Sequence, residues 1–146
     1  MTRPHFHEEL EKMELRLLTL GELAGNAVQR AVEAVIEHDD DEAEKVVAGD
    51  DEIDEIYLEL DNRLLSLLAL QAPVAADLRL VSVIMHSSLH LERIGDQAVN
   101  VAKAHQLSAD LPRNATIVQQ IGDVQHRRRR RHDHHERHER RRRPGR

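Results

Sequence analysis

The sequence predicts an all-α fold, an antiparallel three-helix bundle. Apolar residues recur every three or four positions through three long segments, which is the period of a helix that buries one face. No segment alternates apolar and polar residues as a half-buried strand does. The chain contains no Trp, one Phe and one Tyr, so a core must be filled by aliphatic side chains at close helical spacing.

The first predicted helix runs from Phe6 to Glu37. Its apolar stripe continues over about four heptads, and no proline interrupts it. Three consecutive aspartates at 39–41 end the pattern, and an acid at this position can cap the following helix. The stripe comprises Phe6, Leu10, Met13, Leu17, Leu20, Ala24, Ala27, Ala31 and Val35.

The second predicted helix runs from Glu42 to Leu70 and the third from Pro73 to His105. A turn lies between them, because the residue before a proline disfavours the helical region, whereas proline itself is tolerated in a first turn. The core of the second helix is Val46, Gly49, Ile53, Ile56, Leu60, Leu64 and Leu67. The core of the third helix is Leu78, Val81, Ile84, Ser88, Leu91, Ile94 or Gly95, Ala98, and Val101 or Ala102.

The net charge of −6 combines two opposite parts of the chain. Residues 1–125 carry 10 Lys and Arg against 24 Asp and Glu, which gives −14, and residues 126–146 carry 11 Arg against 3 acids, which gives +8. We therefore predict a three-helix bundle over residues 1–108, and a linker with the first turns of a truncated fourth helix over 109–125. A disordered basic tail is predicted over 126–146.

The Arg/His monotony of the tail resembles a GC-rich gene read out of frame, and we interpret it as the product of a frameshift or truncation. The alternative is an evolved tail. Such a tail would bind nucleic acid non-specifically through phosphates, or bind the acidic body of its own chain. It contains no Tyr, Phe or Trp to stack on bases, so no specific nucleic-acid recognition is expected.

Composition excludes several classes of protein. The chain has no cysteine, which excludes disulfides and thiolate metal sites. No window approaches the roughly 18 consecutive apolar residues of a membrane span, and the polar, acid-rich start is unlike a signal peptide. We therefore expect a cytoplasmic protein that does not insert into membranes.

Two pairs of acids stand four residues apart and are the strongest candidates for a binding site. Residues at this spacing lie one turn apart on the same helix face. If the second and third helices are neighbours, the pairs meet in an oxygen-rich cluster of the kind that hard cations such as Mg²⁺, Mn²⁺, Ca²⁺ or iron prefer. The alternative is an ordinary solvated helix surface. The candidate ligands are Asp50, Asp54, Glu92 and Asp96, with Asp61 and Asn100 as further candidates.

Other polar residues of the third predicted helix admit two interpretations. Arg79 and Arg93 can bind a phosphate or a partner carboxylate, or pair with nearby acids of the bundle. His86 and His90 stand four apart and can ligate a metal, or simply lie exposed. The sequence assembles no nucleophile with a base and no Gly-rich phosphate loop, so we expect a binding protein and not an enzyme.

Three runs of residues in the second and third predicted helices form a recognisable succession. They read DDEID at 50–54, LQAPVAADLR at 70–79 and LERIGDQAVN at 91–100. Together with the N-terminal FHEEL at 6–10, this succession resembles the PhoU family, negative regulators of bacterial phosphate uptake and of the phosphate-starvation response. The resemblance covers about residues 3 to 124.

The resemblance implies several properties. Family members are built from two similar three-helix units, so this chain would be half of the usual six-helix protein. One unit would expose the apolar face that the missing half covers, and we therefore predict homodimerisation or poor solubility. The acid-x-x-x-Asp motifs imply Asp50, Asp54, Glu92 and Asp96 as ligands of a divalent or ferric ion, such as Fe, Mn, Mg or Zn. The implied partners are the phosphate ABC transporter and the sensor histidine kinase, and the family is not regarded as enzymatic.

Overall fold

The computed structural model describes residues 3–70, 75–108, 111–112 and 114–124, and side chains from His5 onward. Over these residues the chain forms helices and no strand, which confirms the all-α prediction. None of the helices described is long and apolar enough to cross a membrane. The principal helices are α1 (Arg3–Glu37), α2 (Asp40–Ala48), α3 (Asp50–Leu70) and α4 (Ala75–Leu107).

The chain divides into two compact units, Met1–Ala109 and Asp110–Arg146. The first unit contains α1 to α4. In the second unit residues 115–124 are helical, within the segment where the first turns of a further helix were predicted. Asn114 caps this helix, because its side-chain oxygen accepts hydrogen bonds from the backbone N–H groups of Thr116 and Ile117 at 3.1 and 3.3 Å. The predicted basic tail, residues 126–146, lies outside the described residues.

The bounds predicted for the second helix are wrong in two respects. The helix begins at Asp40 because Asp39 is its N-cap, with a side chain that accepts a hydrogen bond from the Glu42 N–H at 2.9 Å. It is also divided, since α2 ends at Ala48 and α3 begins at Asp50. The physical reason for the division is Gly49, a poor helix former, which caps α2 and lies exposed and not in the predicted core.

The third predicted helix corresponds to α4. Its predicted start at Pro73 and the preceding turn lie among residues 71–74, outside the described part of the chain. The helix continues two residues past the predicted end, to Leu107. Leu78, predicted in the core, is 49% exposed, because Asp77 occupies the inward position beside His7.

Contacts between the helices define the topology of the first unit. Arg16 pairs with Glu59 at 2.8 Å, and Arg30 pairs with Glu42, so α2 and α3 run antiparallel to α1. His7 lies against Asp77, and Leu91 lies 3.7 Å from the position of a Cβ atom at Gly21. Both contacts join residues 70 apart, so α1 and α4 run parallel, and α3 and α4 are antiparallel neighbours.

The core has a wide end and a narrow end. The wide end is filled by Phe6, Met13 and branched side chains, and the narrow end, beside α2, is lined mainly by alanine. Because alanine is small, the helices at the narrow end pack backbone close to backbone. The wide end comprises Phe6, Leu10, Met13, Leu20, Ile53, Ile56, Leu60, Leu64, Leu67, Val81 and Ile84. The narrow end comprises Ala31, Ala34, Ala43, Val46, Ala98 and Ala102.

Candidate functional site

A close approach of α3 to α4 positions the candidate site. Gly95 is buried on α4, and a Cβ atom added there would lie 2.9 Å from Ile53 Cδ1 and 3.1 Å from Ile53 Cγ2. Both distances are shorter than an ordinary van der Waals contact. A side chain at residue 95 would therefore displace Ile53 from its rotamer or push the helices apart, whereas glycine lets Ile53 pack directly against the α4 backbone.

The two pairs of acids flank this contact on the two helices. Asp50 and Asp54 lie three residues before and one residue after Ile53, and Glu92 and Asp96 bracket Gly95 in the same way. Because α3 and α4 are antiparallel, the pairs face one another. The structure therefore brings together all four of the principal predicted ligands.

Electrostatic coupling among the four carboxyl groups is visible at Asp50. Burial raises the pKa of Asp50 above its ordinary value, and the negative charges of Asp54 and Asp96 raise it further, against a smaller opposing effect of Lys103. One oxygen of this side chain, Oδ1, is buried and has no hydrogen-bond partner among the described residues. A buried acceptor without a donor is costly, and a cation would satisfy it.

The pKa of Glu92, on α4, is raised for the same reasons as that of Asp50. Burial raises its pKa, and the charges of Asp96 and Asp54 add to the rise, while Arg93 opposes it. Each of these two acids thus senses charges on its own helix and on the opposite helix. Such an arrangement favours either a proton or a bound cation among the carboxylates.

The cluster is not assembled as a finished coordination site. Among the described residues no three His, Asp or Glu side chains are placed to hold one metal ion. The donors suit a hard cation by their chemistry, but the carboxylates would have to converge by side-chain rotation. Of the further candidates, Asp61 lies about two turns from Asp54 along α3, and Asn100 is exposed one turn after Asp96.

Comparison with known proteins bears on the identity of this bundle. A family profile described as PhoU domain matches residues 17–104. The chain is 37% identical over 105 residues to a phosphate-specific transport system accessory protein PhoU homolog of Clostridium acetobutylicum, covering 71% of this chain and 48% of that protein. The chain belongs to the PhoU family.

Two other relatives give the same result. A PhoU homolog of Pseudomonas putida is 39% identical over 121 residues, which cover 81% of this chain and 47% of that protein. The phosphate-specific transport system accessory protein PhoU of Escherichia coli K12 is 33% identical over 98 residues, 67% of this chain and 41% of that protein. The chain thus spans about half the length of the curated relatives it matches.

The remaining predicted residues lie outside the carboxylate cluster of this PhoU-family bundle. His86 and His90 are both exposed. His86 uses one ring nitrogen locally, since its Nδ1 lies 2.7 Å from the carbonyl oxygen of Ser82. Arg79 and Arg93 are exposed as well, and Arg93 acts on the cluster through its effect on Glu92.

The sequence reasoning missed one buried polar contact. His105 is buried near the end of α4, with Nε2 at 3.1 Å from Asp40 Oδ1 and its ring edge-to-face with His38 at 5.0 Å. Although Nε2 lies this close to Asp40, it has no hydrogen-bond partner among the described residues. The contact depends on the turn between α1 and α2, where His38 has a φ of 63°. The helical periodicity of the sequence does not predict such a turn.

Proposed function

We propose that this chain is a negative regulator of phosphate uptake and of phosphate-starvation signalling. Membership of the PhoU family supports the proposal, together with the names of its relatives, which are accessory proteins of phosphate-specific transport. The action would be that of a cytoplasmic adaptor that binds partners and carries out no catalysis. Its partners would be the phosphate ABC transporter and the sensor histidine kinase, whose signalling it would damp when phosphate is plentiful.

The carboxylate cluster between α3 and α4 is the surface on which this adaptor would bind a cation. Its support is the convergence of four acids from two helices, with raised pKa values at Asp50 and Glu92. Asp50, Asp54, Glu92 and Asp96 would hold a divalent or ferric ion. The ion would offset their mutual repulsion, and these residues would then fix α3 against α4 on the surface that a partner contacts.

A metal-free helical interaction module is the second candidate function. The observation in its favour is that the described carboxylates do not form a preassembled set of three ligands. In that case the acids would contribute only charge to the surface, and partner binding would not depend on cations.

We also propose that the protein acts as a homodimer. The bundle exposes large apolar side chains, among them Leu15, Leu18 and Leu58, and a second copy would bury part of this surface.

Genetic complementation tests the proposed function. The full chain is expressed in a bacterium that lacks its own PhoU-family protein and carries a reporter of the phosphate-starvation response. We expect wild type to keep the reporter low in phosphate-rich medium, and the Asp54→Asn/Asp96→Asn variant to lose this repression. The matched control, Glu44→Gln/Glu55→Gln, removes two exposed acids away from the cluster and should repress like wild type.

The outcomes separate the two candidates. Full repression by the Asp54→Asn/Asp96→Asn variant would support the metal-free module. A reporter that stays high with well-expressed, helical wild-type protein would overturn the regulatory proposal itself.

A further inference from the structure

The outer face of α1 is apolar and acidic. Leu15 and Leu18 are 66% and 64% exposed, and Glu11 and Glu22 continue the same stripe at helical spacing and are exposed too. The cations of α1 after Arg3 point elsewhere, because each pairs with an acid on the side of α2 and α3 or within its own turn. These pairs are Lys12 with Glu9, Arg16 with Glu59, and Arg30 with Glu42.

The outer face of α4 has the opposite charge. Val83, Ile94 and Val101 are 58%, 43% and 41% exposed, and they share a stripe with exposed cationic and imidazole side chains. All three acids of α4 lie away from this stripe: Asp77 contacts His7, and Glu92 and Asp96 belong to the cluster facing α3. The stripe comprises Arg79, Val83, His86, His90, Arg93, Ile94, Gln97 and Val101.

The two stripes lie side by side on one face of the bundle. Since α1 and α4 are parallel neighbours, their outer sides form a continuous surface, which we call the α1–α4 face. A helix of more than 30 residues is about 50 Å long, and two adjacent helices are about 20 Å wide. The α1–α4 face therefore measures roughly 1,000 Å², enough for the about 800 Å² per partner of a standard interface.

We infer that the α1–α4 face is the self-association surface of this protein and that its occupant is a second copy of the chain. A two-fold axis parallel to the two helices places the acidic stripe on α1 of each copy against the basic stripe on α4 of the other, so the same complementary contact forms twice. The exposed leucines and valines between the charges are then buried. This inference assigns a surface to the dimer proposed above, and it does not rest on any action at the transporter.

The face formed by α3 and α4 is the competing surface. It also exposes leucines, Leu58 and Leu65 among them. Pairing two copies across it by a two-fold axis parallel to the helices would bring the carboxylate cluster of one copy against that of the other. Such like-charge contacts cost several kcal/mol at an interface, so the α1–α4 face is favoured.

Two variants, each with the charge of one stripe reversed, test this inference. The test does not require knowing which residues face each other across the dimer interface. Variant one, Glu11→Lys/Glu22→Lys, makes both outer stripes basic, and variant two, Arg79→Glu/Arg93→Glu, makes both acidic. We expect wild type to be a dimer by analytical ultracentrifugation at about 0.15 M salt. Each variant alone should have a dimer dissociation constant raised about 100-fold, and an equimolar mixture should form a heterodimer of near wild-type affinity.

One control variant and three contrary results complete the test of the α1–α4 face. The Glu44→Lys/Glu55→Lys variant changes the net charge as variant one does, at exposed positions outside the α1–α4 face, and should remain dimeric. Circular dichroism verifies that every variant is helical. A monomeric wild type would overturn the inference, as would variants that stay dimeric alone, or a mixture that stays monomeric. Ultracentrifugation measures the oligomeric state without any reference to complementation. The self-association surface can therefore be overturned while the regulatory proposal stands, and the reverse is also true.

Discussion

Gly95 determines how close the two halves of the candidate site can come. It is the one glycine of the bundle at which a Cβ atom would lie under 3 Å from another side chain, that of Ile53. Because glycine has no Cβ atom at this position, the two flanking acids, Glu92 and Asp96, lie opposite Asp50 and Asp54. The sequence offered Ile94 and Gly95 as alternatives for this core position, and only the packing of the helices distinguishes them.

A pair of glycine substitutions tests this role. Replacing glycine by alanine inside a helix normally raises stability by about 1 kcal/mol. Gly21→Ala should show this gain, because the new Cβ atom meets Leu91 at an ordinary 3.7 Å. Gly95→Ala should show no gain or a net loss, since moving Ile53 off its rotamer costs about 0.5–1.5 kcal/mol.

Thermal or urea unfolding of both variants measures the difference. In an Ile53→Val background, which removes Cδ1, the cost of Gly95→Ala should be smaller. Equal stabilisation by Gly21→Ala and Gly95→Ala would contradict the close contact described between α3 and α4.

The raised pKa values in the carboxylate cluster depend on α3 and α4 together and not on either helix alone. Asp50 and Glu92 each sense acids on the opposite helix as well as on their own. The sequence predicted both acid pairs from their spacing, because that spacing fixes a shared helix face. It could not predict the burial of Asp50 Oδ1, since that depends on how α3, restarting after Gly49, is placed against α4.

The raised pKa values predict the sign of a pH effect. For a carboxyl group whose pKa is raised by folding, the stabilising contribution is fully present below the unfolded value, about 4. It is lost as the pH rises through the raised folded value. The variant Asp54→Asn/Asp96→Asn removes the neighbouring charges that raise the pKa of Asp50 and Glu92, although the effect of burial remains.

We therefore expect this variant to be more stable than wild type at pH 7 without metal. The gain should be about 0.5–1 kcal/mol, because a like-charge pair one turn apart costs about 0.2–0.5 kcal/mol. Near pH 3 Asp50 and Glu92 are protonated in both proteins, because the pKa of each is raised, and the gain should vanish. Calorimetry in a chelator at both pH values is the measurement, with Glu44→Gln/Glu55→Gln as the control. A gain of the same size at both pH values would contradict a charge-based origin.

The whole bundle was predictable because its three apolar stripes are long and regular. The predicted helix ends were off by up to three residues, at Arg3, Asp40 and Leu107. The break at Gly49 was missed because one glycine inside a helical pattern is usually tolerated. The burial of His105 beside Asp40 was missed because it arises from a turn far away in sequence. The sequence thus determines the stripes, whereas packing determines the details at their ends.

The length of the chain relative to its relatives bears on how the cation site can be tested. The PhoU-family chain spans about half of its relatives, and all four acids of its carboxylate cluster belong to α3 and α4 of this chain. A cation site contained in α3 and α4 can therefore be tested on the chain as it stands.

Metal binding by the purified chain tests the central claim most directly. The protein, prepared without metal affinity resin, is dialysed against Mn²⁺, an ion that prefers oxygen ligands over the histidines that follow residue 125, and its metal content is measured by elemental analysis. We predict stoichiometric Mn²⁺ in wild type and in Glu44→Gln/Glu55→Gln, and its loss in Asp54→Asn/Asp96→Asn. Equal metal content in all three proteins, or none in wild type, would contradict the assignment of the carboxylate cluster as a cation site.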